Sequence, residues 1–401
     1  MNQASRLLAA ALLIGAPAVA LGPATAVAQT ATPAQTATPV QADTPTPPPL
    51  PPPAQIVSTP PDFPRGKISG YVYVDYYYDV VGDPKHRYNS SGQDSAKAYI
   101  DGSPAIGRDL NGFQVRRVYF QHDADISAKF STRFRLEVDS KSLTSDGKLG
   151  AAVKAAYGQV KNAIPHGNFL FGVLSTPIFE NSEEFWAYRS IEKTLLDFRG
   201  IGSSADIGVE LKGTLDAAKK IGYTAMIANG PGQKPEDNRY KKFYLSLPLL
   251  PMENLRIEPY VDYEAVAGMQ DKATYKLFAG YELKKGAIGG EIVDRVNHKA
   301  SAPNQEPFGF SVFGRYMPHE QLGAFARFDR WRSDIQSGST AAANRLDSDM
   351  YIAGVDWQPY KDIHFMPNIE ATQYHARGTT VAPAHHDLQA RITMYWKFSK
   401  P

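Results

Sequence analysis

The sequence predicts an all-β fold, a transmembrane antiparallel β-barrel of 16 strands, and three observations carry that expectation. The last segment, Asp387–Phe398, alternates Leu388, Ala390, Ile392, Met394, Trp396 and Phe398 with Asp387, Gln389, Arg391, Thr393, Tyr395 and Lys397. Successive strand side chains point to opposite faces, so this strand separates an apolar medium from water. A secretory start opens the chain. The connections between alternating segments are short and long by turns, as insertion of a barrel from one side of a membrane requires.

Residues 1–28 read as a signal peptide: Arg6, an apolar run from Leu7 to Leu21, then Ala26-Val27-Ala28, with cleavage expected after Ala28. The apolar run is short and interrupted by Gly and Pro, and no later stretch offers the roughly 20 apolar residues of a spanning helix. Residues 29–64 are rich in Pro, Thr, Ala and Gln, with Pro47-Pro48-Pro49-Leu50-Pro51-Pro52-Pro53 at their centre. Such a composition buries too little apolar surface to offset its ordering entropy, so a disordered, polyproline-like periplasmic arm is expected. It is a spacer or a candidate contact with the cell wall or a periplasmic partner.

Residues 65–401 are expected to form the barrel. Sixteen alternating segments follow one another at a spacing of about 21 residues. They are Lys67–Tyr78, Asn111–Ile126, Thr132–Asp139, Gly150–Lys161, Asn168–Leu174, Ala205–Leu215, Lys220–Asn229 and Arg239–Leu249 in the first half. The second half comprises Leu255–Val266, Lys272–Lys284, Ala287–His298, Pro307–Met317, Leu322–Arg332, Ser348–Gln358, Ile363–Ala376 and Asp387–Phe398. An even number places both ends of the barrel on one side of the membrane. Tight turns are expected at Ala128–Ser131, Ile164–Gly167, Asp216–Lys219, Pro251–Asn254, Lys285–Gly286, Pro318–Gln321 and Pro359–Asp362, several built on Pro or Gly. Long external loops are expected at 79–110, 140–149, 175–204, 230–238, 267–271, 299–306, 333–347 and 377–386.

Two further segments repeat the pattern of the last. Leu255, Ile257, Pro259, Val261 and Tyr263 oppose Arg256, Glu258, Tyr260, Asp262 and Glu264; Tyr275, Leu277, Ala279, Tyr281 and Leu283 oppose Lys276, Phe278, Gly280 and Glu282. A charge on the lipid side costs about 2–4 kcal/mol at the bilayer midplane, so the charged side should face a lumen. Pro259 lacks a ladder donor and argues weakly against its strand. Tyr76, Tyr78, Trp357, Tyr360, Trp396 and Phe398 lie near segment ends, where aromatic girdles sit at headgroup level. Ser399-Lys400-Pro401 follow the final aromatic.

Bulk properties exclude other classes. Cysteine is absent, so there is neither a lipid-anchor thiol nor a disulfide or thiolate metal site. With 43 basic and 41 acidic residues the chain lacks the cationic excess of a nucleic-acid binder. Nine histidines are scattered, only His385-His386 are adjacent, and neither a phosphate-cradling glycine loop nor a Gly-x-Ser-x-Gly elbow occurs. No catalytic residue, metal ligand or cofactor is implied, and the chain does not read as an enzyme.

Several stretches resemble the phosphate-selective porin O/P family. They are Asn111-Gly-Phe-Gln-Val-Arg-Arg117, Arg133-Phe-Arg-Leu-Glu-Val-Asp139, Val153-Lys-Ala-Ala-Tyr-Gly-Gln159, Phe171-Gly-Val-Leu-Ser-Thr-Pro177 with Glu180, Ile191-Glu-Lys193, and Asp206-Ile-Gly-Val-Glu-Leu-Lys-Gly213. The likeness is clearest over residues 110–215. It implies a sixteen-stranded barrel, commonly a homotrimer with one pore per subunit, whose third external loop folds into the lumen. That loop is 175–204 here, and Phe179, Phe185, Trp186, Leu195 and Leu196 need burial that folding back against the wall would supply. It carries Glu180, Glu183, Glu184, Arg189, Glu192 and Lys193 as constriction candidates.

In anion-specific members of that family, arginines and lysines line the pore. Arg117, Arg133, Arg135, Lys154, Arg315, Arg327 and Arg391 are the lumenal candidates by parity, but Glu137 and other carboxylates, among them Asp75, Asp139, Glu258, Asp262 and Asp329, share that side. Cross-strand ion pairs that hold the barrel's shape are the bland role for any one of these charges. A mixed wall gives a transverse field without a strong sign preference. The expectation is therefore an outer-membrane porin for passive diffusion of small hydrophilic or ionic solutes, phosphate among the candidates, whose partners are solutes, ions and outer-membrane lipid. The rivals are a barrel enzyme with hydrolase activity and a structural or adhesive barrel tethered through 29–64.

Overall fold

The computed structural model describes residues 63–82, 99–100, 103–104, 108–236, 238–268, 270–301, 303–333, 347–375 and 386–400. The expected leader, nearly all of the Pro-rich arm, and most of the loops at 79–110, 333–347 and 377–386 lie outside those residues, as does His385.

Sixteen antiparallel strands close into one barrel, as the alternation predicts. They are β1 (Arg65–Val81), β2 (Asn111–Asp125), β3 (Phe130–Leu143), β4 (Leu149–Ile164), β5 (Gly167–Ser175), β6 (Ala205–Thr214), β7 (Gly222–Ala228) and β8, which runs in two pieces, Lys242–Ser246 and Leu249–Met252. Then follow β9 (Leu255–Glu264), β10 (Lys272–Leu283), β11 (Gly286–Asn297), β12 (Phe308–His319), β13 (Leu322–Arg332), β14 (Asp347–Tyr360), β15 (Ile363–His375) and β16 (Asp387–Lys400). Each strand pairs with its sequence neighbours, and β1 pairs with both β2 and β16, which removes the open edge.

Burial follows the alternation read from the sequence. In β9, Glu258, Tyr260 and Asp262 are buried while Pro259 and Tyr263 are exposed. In β10, Thr274, Lys276, Phe278 and Gly280 are buried and Tyr281 is exposed. The opposite side of the sheet is apolar and open: Phe113 is 88% exposed, Ile392 55%, Ile288 54% and Phe171 53%. A water-soluble chain could not sustain so wide a band of exposed Phe, Ile, Leu and Val, whereas lipid solvates it. Trp357 and Tyr360 lie exposed at one end of β14, and Tyr76 and Tyr78 toward the other end of β1.

Pro259 is accommodated. The two pieces of β8 share one register against β9, Tyr244 opposite Asp262 and Leu249 opposite Ile257. The break between them falls at Leu247 and Pro248, where Leu247 N–H donates to the Pro259 carbonyl but Pro259 has no N–H to return. Pro248, at the break itself, lacks a donor as well, while β9 runs through Pro259 unbroken. Several strands also run past their expected ends, β1 to Val81, β3 to Leu143, β12 to His319 and β14 to Tyr360. Pro251, Pro318 and Pro359, expected in turns, instead occupy strand ends at register irregularities, where no ladder donor is needed.

Candidate pore lining and the segment between β5 and β6

The connection from β5 to β6 is built rather than loose. It contains two short helices, α1 (Glu180–Trp186) and α2 (Leu195–Phe198), which period-2 reasoning did not reveal. Its apolar residues form two clusters with side chains of the charged, inward-parity side of the sheet. Ile178, Phe179, Leu195, Leu196 and Ile201 pack on Leu170, Leu174, Met226, Tyr244, Tyr260, Val293 and Trp331. Phe185, Trp186, Tyr188 and Ile191 pack on Phe278, Phe313, Phe325, Met350, Ile352 and Met366. Gly280 makes room here, because a Cβ on it would collide with a Phe185 ring carbon and push the ring out of its place.

Polar contacts pin the same segment. The Trp186 indole N–H donates to the Glu192 carbonyl at 2.9 Å. Glu291 of β11 accepts from the Ser182 hydroxyl at 2.6 Å and from the Leu195 N–H at 3.2 Å, satisfying a donor at the start of α2. Lys276 Nζ donates to the Ile178 carbonyl at 2.6 Å and pairs with Glu258 at 2.8 Å. Tyr188 donates to Asp356 of β14 at 3.2 Å.

The candidates singled out from the sequence fall as follows. On the segment, Glu180 pairs with Lys212, Glu184 with Arg256, and Arg189 with both Glu183 (3.0 Å) and Asp197 (2.8 Å). Lys193 pairs with Asp197 at 3.4 Å, and its carbonyl accepts from Arg327, which also pairs with Asp329. Glu192 lies between Arg116 at 2.9 Å and Arg391 at 3.7 Å, and Arg391 also pairs with Glu370 and donates to the Ile191 carbonyl. On the wall, Glu137 is shared by Arg117 and Lys154, each at 2.9 Å, Arg133 pairs with Asp123 at 2.6 Å, and Arg315 lies 3.4 Å from Glu282. Of the seven basic wall candidates, Arg135 alone has no carboxylate within ion-pair distance among the described residues; its Nε donates to Gln121 at 2.6 Å.

Electrostatics on the segment follow from these neighbours. Burial alone would raise the Glu192 carboxyl, but Arg116 and Arg391 outweigh it and hold the group down to about 2. Glu183 moves the other way, raised by burial that Arg189 only partly offsets. Burial likewise lowers Lys193 against the opposing pull of Asp197.

One position that grips the segment was missed, and its signal was present. Arg116 should face lipid if Arg117 faces the lumen, yet it reaches Glu192, the Ser190 and Ile191 carbonyls, and Asp75 at 3.6 Å. The register explains it: Tyr73 opposes Arg117 and Val74 opposes Val115, so Arg116 is the extra residue of a β-bulge. Lys154 occupies a second bulge, because Arg135 opposes Ala155 while Leu136 opposes Val153. It therefore shares its side with Ala155 and reaches Ser204 at 2.7 Å. The doublet Arg116-Arg117 inside an alternating strand was the visible sign.

No protein-family model matches the sequence and no curated protein matches it significantly, so the likeness to the phosphate-selective porins gains no support from that side. Solved structures do match. The outer-membrane channel DcaP of Acinetobacter baumannii superimposes with a TM-score of 0.62 at 12% identity, over 84% of this chain and 97% of that one. The anion-selective porin from Comamonas acidovorans gives 0.57 at 10% identity, over 84% and 100%. OmpF of Salmonella typhi, in complex with daunomycin, gives 0.57 at 8% identity, over 83% and 97%. What this chain shares with all three is the barrel fold.

Proposed function

We propose that the chain is a porin of the bacterial outer membrane, which lets small hydrophilic or ionic solutes diffuse down their gradients. The observation that carries this is a closed sixteen-strand barrel whose exposed side is apolar and whose other side is lined with charge. Lipid would solvate the first and water the second, and a hydrated lumen is what conduction needs. The fold shared with outer-membrane channels supports the same reading.

In this reading the segment 176–204 narrows the pore, and Glu183, Arg189, Lys193 and Asp197 form a mutually paired, partly exposed charge cluster on it. Its many contacts with inward-parity side chains support that placement. Nearly every wall cation is paired with a carboxylate, which favours a general pore over strict phosphate selection. Residues 1–28 direct export, residues 29–64 extend into the periplasm, and three copies assemble as separate pores.

Single-channel recording of the refolded protein in a planar bilayer, under a salt gradient and with phosphate then added on one side, tests the proposal. Steady conductance steps are expected, with a small reversal potential and no block at low phosphate. Inserted protein without conductance would sink the porin reading and favour a structural or enzymatic barrel.

A further inference from the structure

We infer that the wall formed by β1, β2, β3 and β16 carries a docking platform for solutes that join a ring to an anionic group, of which sugar phosphates are the representative class. The inference rests on the porin reading, since it needs solute to reach that wall.

Two independent features coincide there. The first is a run of rings on the inward side. Tyr71 lies edge-on to Tyr119 with centroids 4.5 Å apart and stacks on Tyr73 at 5.2 Å; Tyr73 meets Tyr395 at 5.2 Å, and His364 lies 5.0 Å beyond Tyr395. Tyr73 and Tyr119 are buried and form the base, while Tyr71 and Tyr395 remain partly exposed. Headgroup girdles do not account for these rings, because that role falls to residues of opposite parity such as Tyr76 and Tyr78. The apolar clusters under the segment between β5 and β6 do not account for Tyr71 or Tyr119 either, since neither belongs to them.

The second feature is Arg135, whose guanidinium stands 5.2 Å from the centre of the Tyr119 ring. Gln121 takes its Nε, and its terminal nitrogens have no hydrogen-bond partner among the described residues. The neighbouring cations are all engaged: Arg133 pairs with Asp123, Lys154 with Glu137, and Arg117 with that same Glu137 and, at 4.0 Å, with Asp139. A planar guanidinium with its fork unclaimed suits a phosphate or carboxylate, and aromatic faces suit the C–H face of a ring. Inorganic phosphate could use only the arginine and an uncharged sugar only the rings. A solute with both parts uses both and should dwell longest.

The test is the duration of current blockades in single channels of the full protein when glucose 6-phosphate, glucose or inorganic phosphate is added. Glucose 6-phosphate is expected to dwell at least about tenfold longer than either fragment, the worth of one charge-assisted hydrogen bond. Arg135→Gln should shorten that dwell about tenfold and leave glucose unchanged. Tyr71→Leu should shorten it by a factor of about five and leave inorganic phosphate unchanged. Arg135→Lys, which keeps the charge without the fork, serves if Arg135→Gln does not insert, and should also shorten the dwell. Equal dwell for glucose 6-phosphate and inorganic phosphate, or no effect of either arginine variant, overturns the platform while leaving the pore intact. Absence of any conductance overturns the porin reading and the platform with it.

Discussion

Two sectors of the barrel wall meet the segment between β5 and β6 in different ways. From β5 round to β15 the inner wall offers the segment a packed apolar core, with Trp186, Ile191, Leu195 and Phe278 essentially inaccessible, and sets polar pins such as Glu291, Lys276 and Asp356 within it. On β16, β2 and β4 the contacts are mainly charges and hydrogen bonds: Arg391, Arg116 and Lys154 hold Glu192, the Ile191 carbonyl and Ser204. The first sector resembles the interior of a globular domain and the second a wetted surface. A barrel interior thus need not be uniform around its circumference. The filled side fixes the segment, and the polar side is the one the porin reading assigns to solutes.

Disrupting the packed sector should have the largest effect. Trp186 lies between Phe313, Phe325 and Tyr188 and under the Arg327 guanidinium, so Trp186→Ala is expected to cost about 3–5 kcal/mol. A lowered unfolding midpoint and a larger, noisier conductance would be recorded. Unchanged conductance would mean that the segment does not limit the path.

The polar sector should yield less. Glu192→Gln removes the shared partner of Arg116 and Arg391, but Asp75 and Glu370 remain to those arginines, so the loss is expected at about 3 kcal/mol or below. Frequent brief closures or substates in current traces, without loss of the barrel's unfolding transition, would be the signature. If the barrel itself unfolded, the segment and the wall would not be separable in the way the two sectors imply.

Acid probes the same contact. The Glu192 carboxyl is depressed to about 2 in the folded protein, below an unfolded value of about 4.3. Its stabilising contribution is therefore complete above about pH 4.3 and is lost as pH falls toward 2. Glu183 is raised instead, so its burial penalty is relieved as pH falls. Channel noise from the polar sector should stay flat from pH 7 to 5 and grow below about pH 4. Growth already at pH 6 would assign the transition to another group.

The smallest stability effect is expected beside the short turn between β2 and β3. Arg133 and Asp123 are each about one-third exposed, so Arg133→Gln should change stability by less than about 1 kcal/mol. It should nonetheless move the reversal potential toward cation preference, because it leaves Asp123 unmatched. A stability loss as large as that of Trp186→Ala would erase the distinction between the sectors.

The strands were legible because their signal is local: each residue of β9 and β16 declares its side through its own polarity, and period 2 needs no partner to be read. Pro259 misled slightly, since β9 runs through it unbroken. The helices α1 and α2 were not legible, because Glu180–Trp186 and Leu195–Phe198 are too short to show a helical period and are held by Glu291 and the aromatic wall. The need of Phe185 and Trp186 for burial was visible, but their partners Phe278, Phe313 and Phe325 lie between 92 and 140 residues further along the chain. Arg116 escaped for a related reason, since a bulge is a property of two strands and parity was counted along one.

Those two bulges have a consequence for how this chain can change length. Phe113 and Val115 share the lipid side before the first bulge, and Val118 and Phe120 share it after, so odd and even positions exchange roles within a single strand. Elsewhere in the barrel, loss or gain of one residue would turn oil-facing side chains to water over the rest of a strand. At Arg116 and Lys154 that slip is already built in, and removing one residue would restore an ordinary ladder while leaving both halves of the strand correctly oriented. These two positions are expansion joints in the interior of the wall, as Val80 is near the end of β1, and single-residue deletions should be tolerated at them and related sequences, aligned by strand, should fall out of step there.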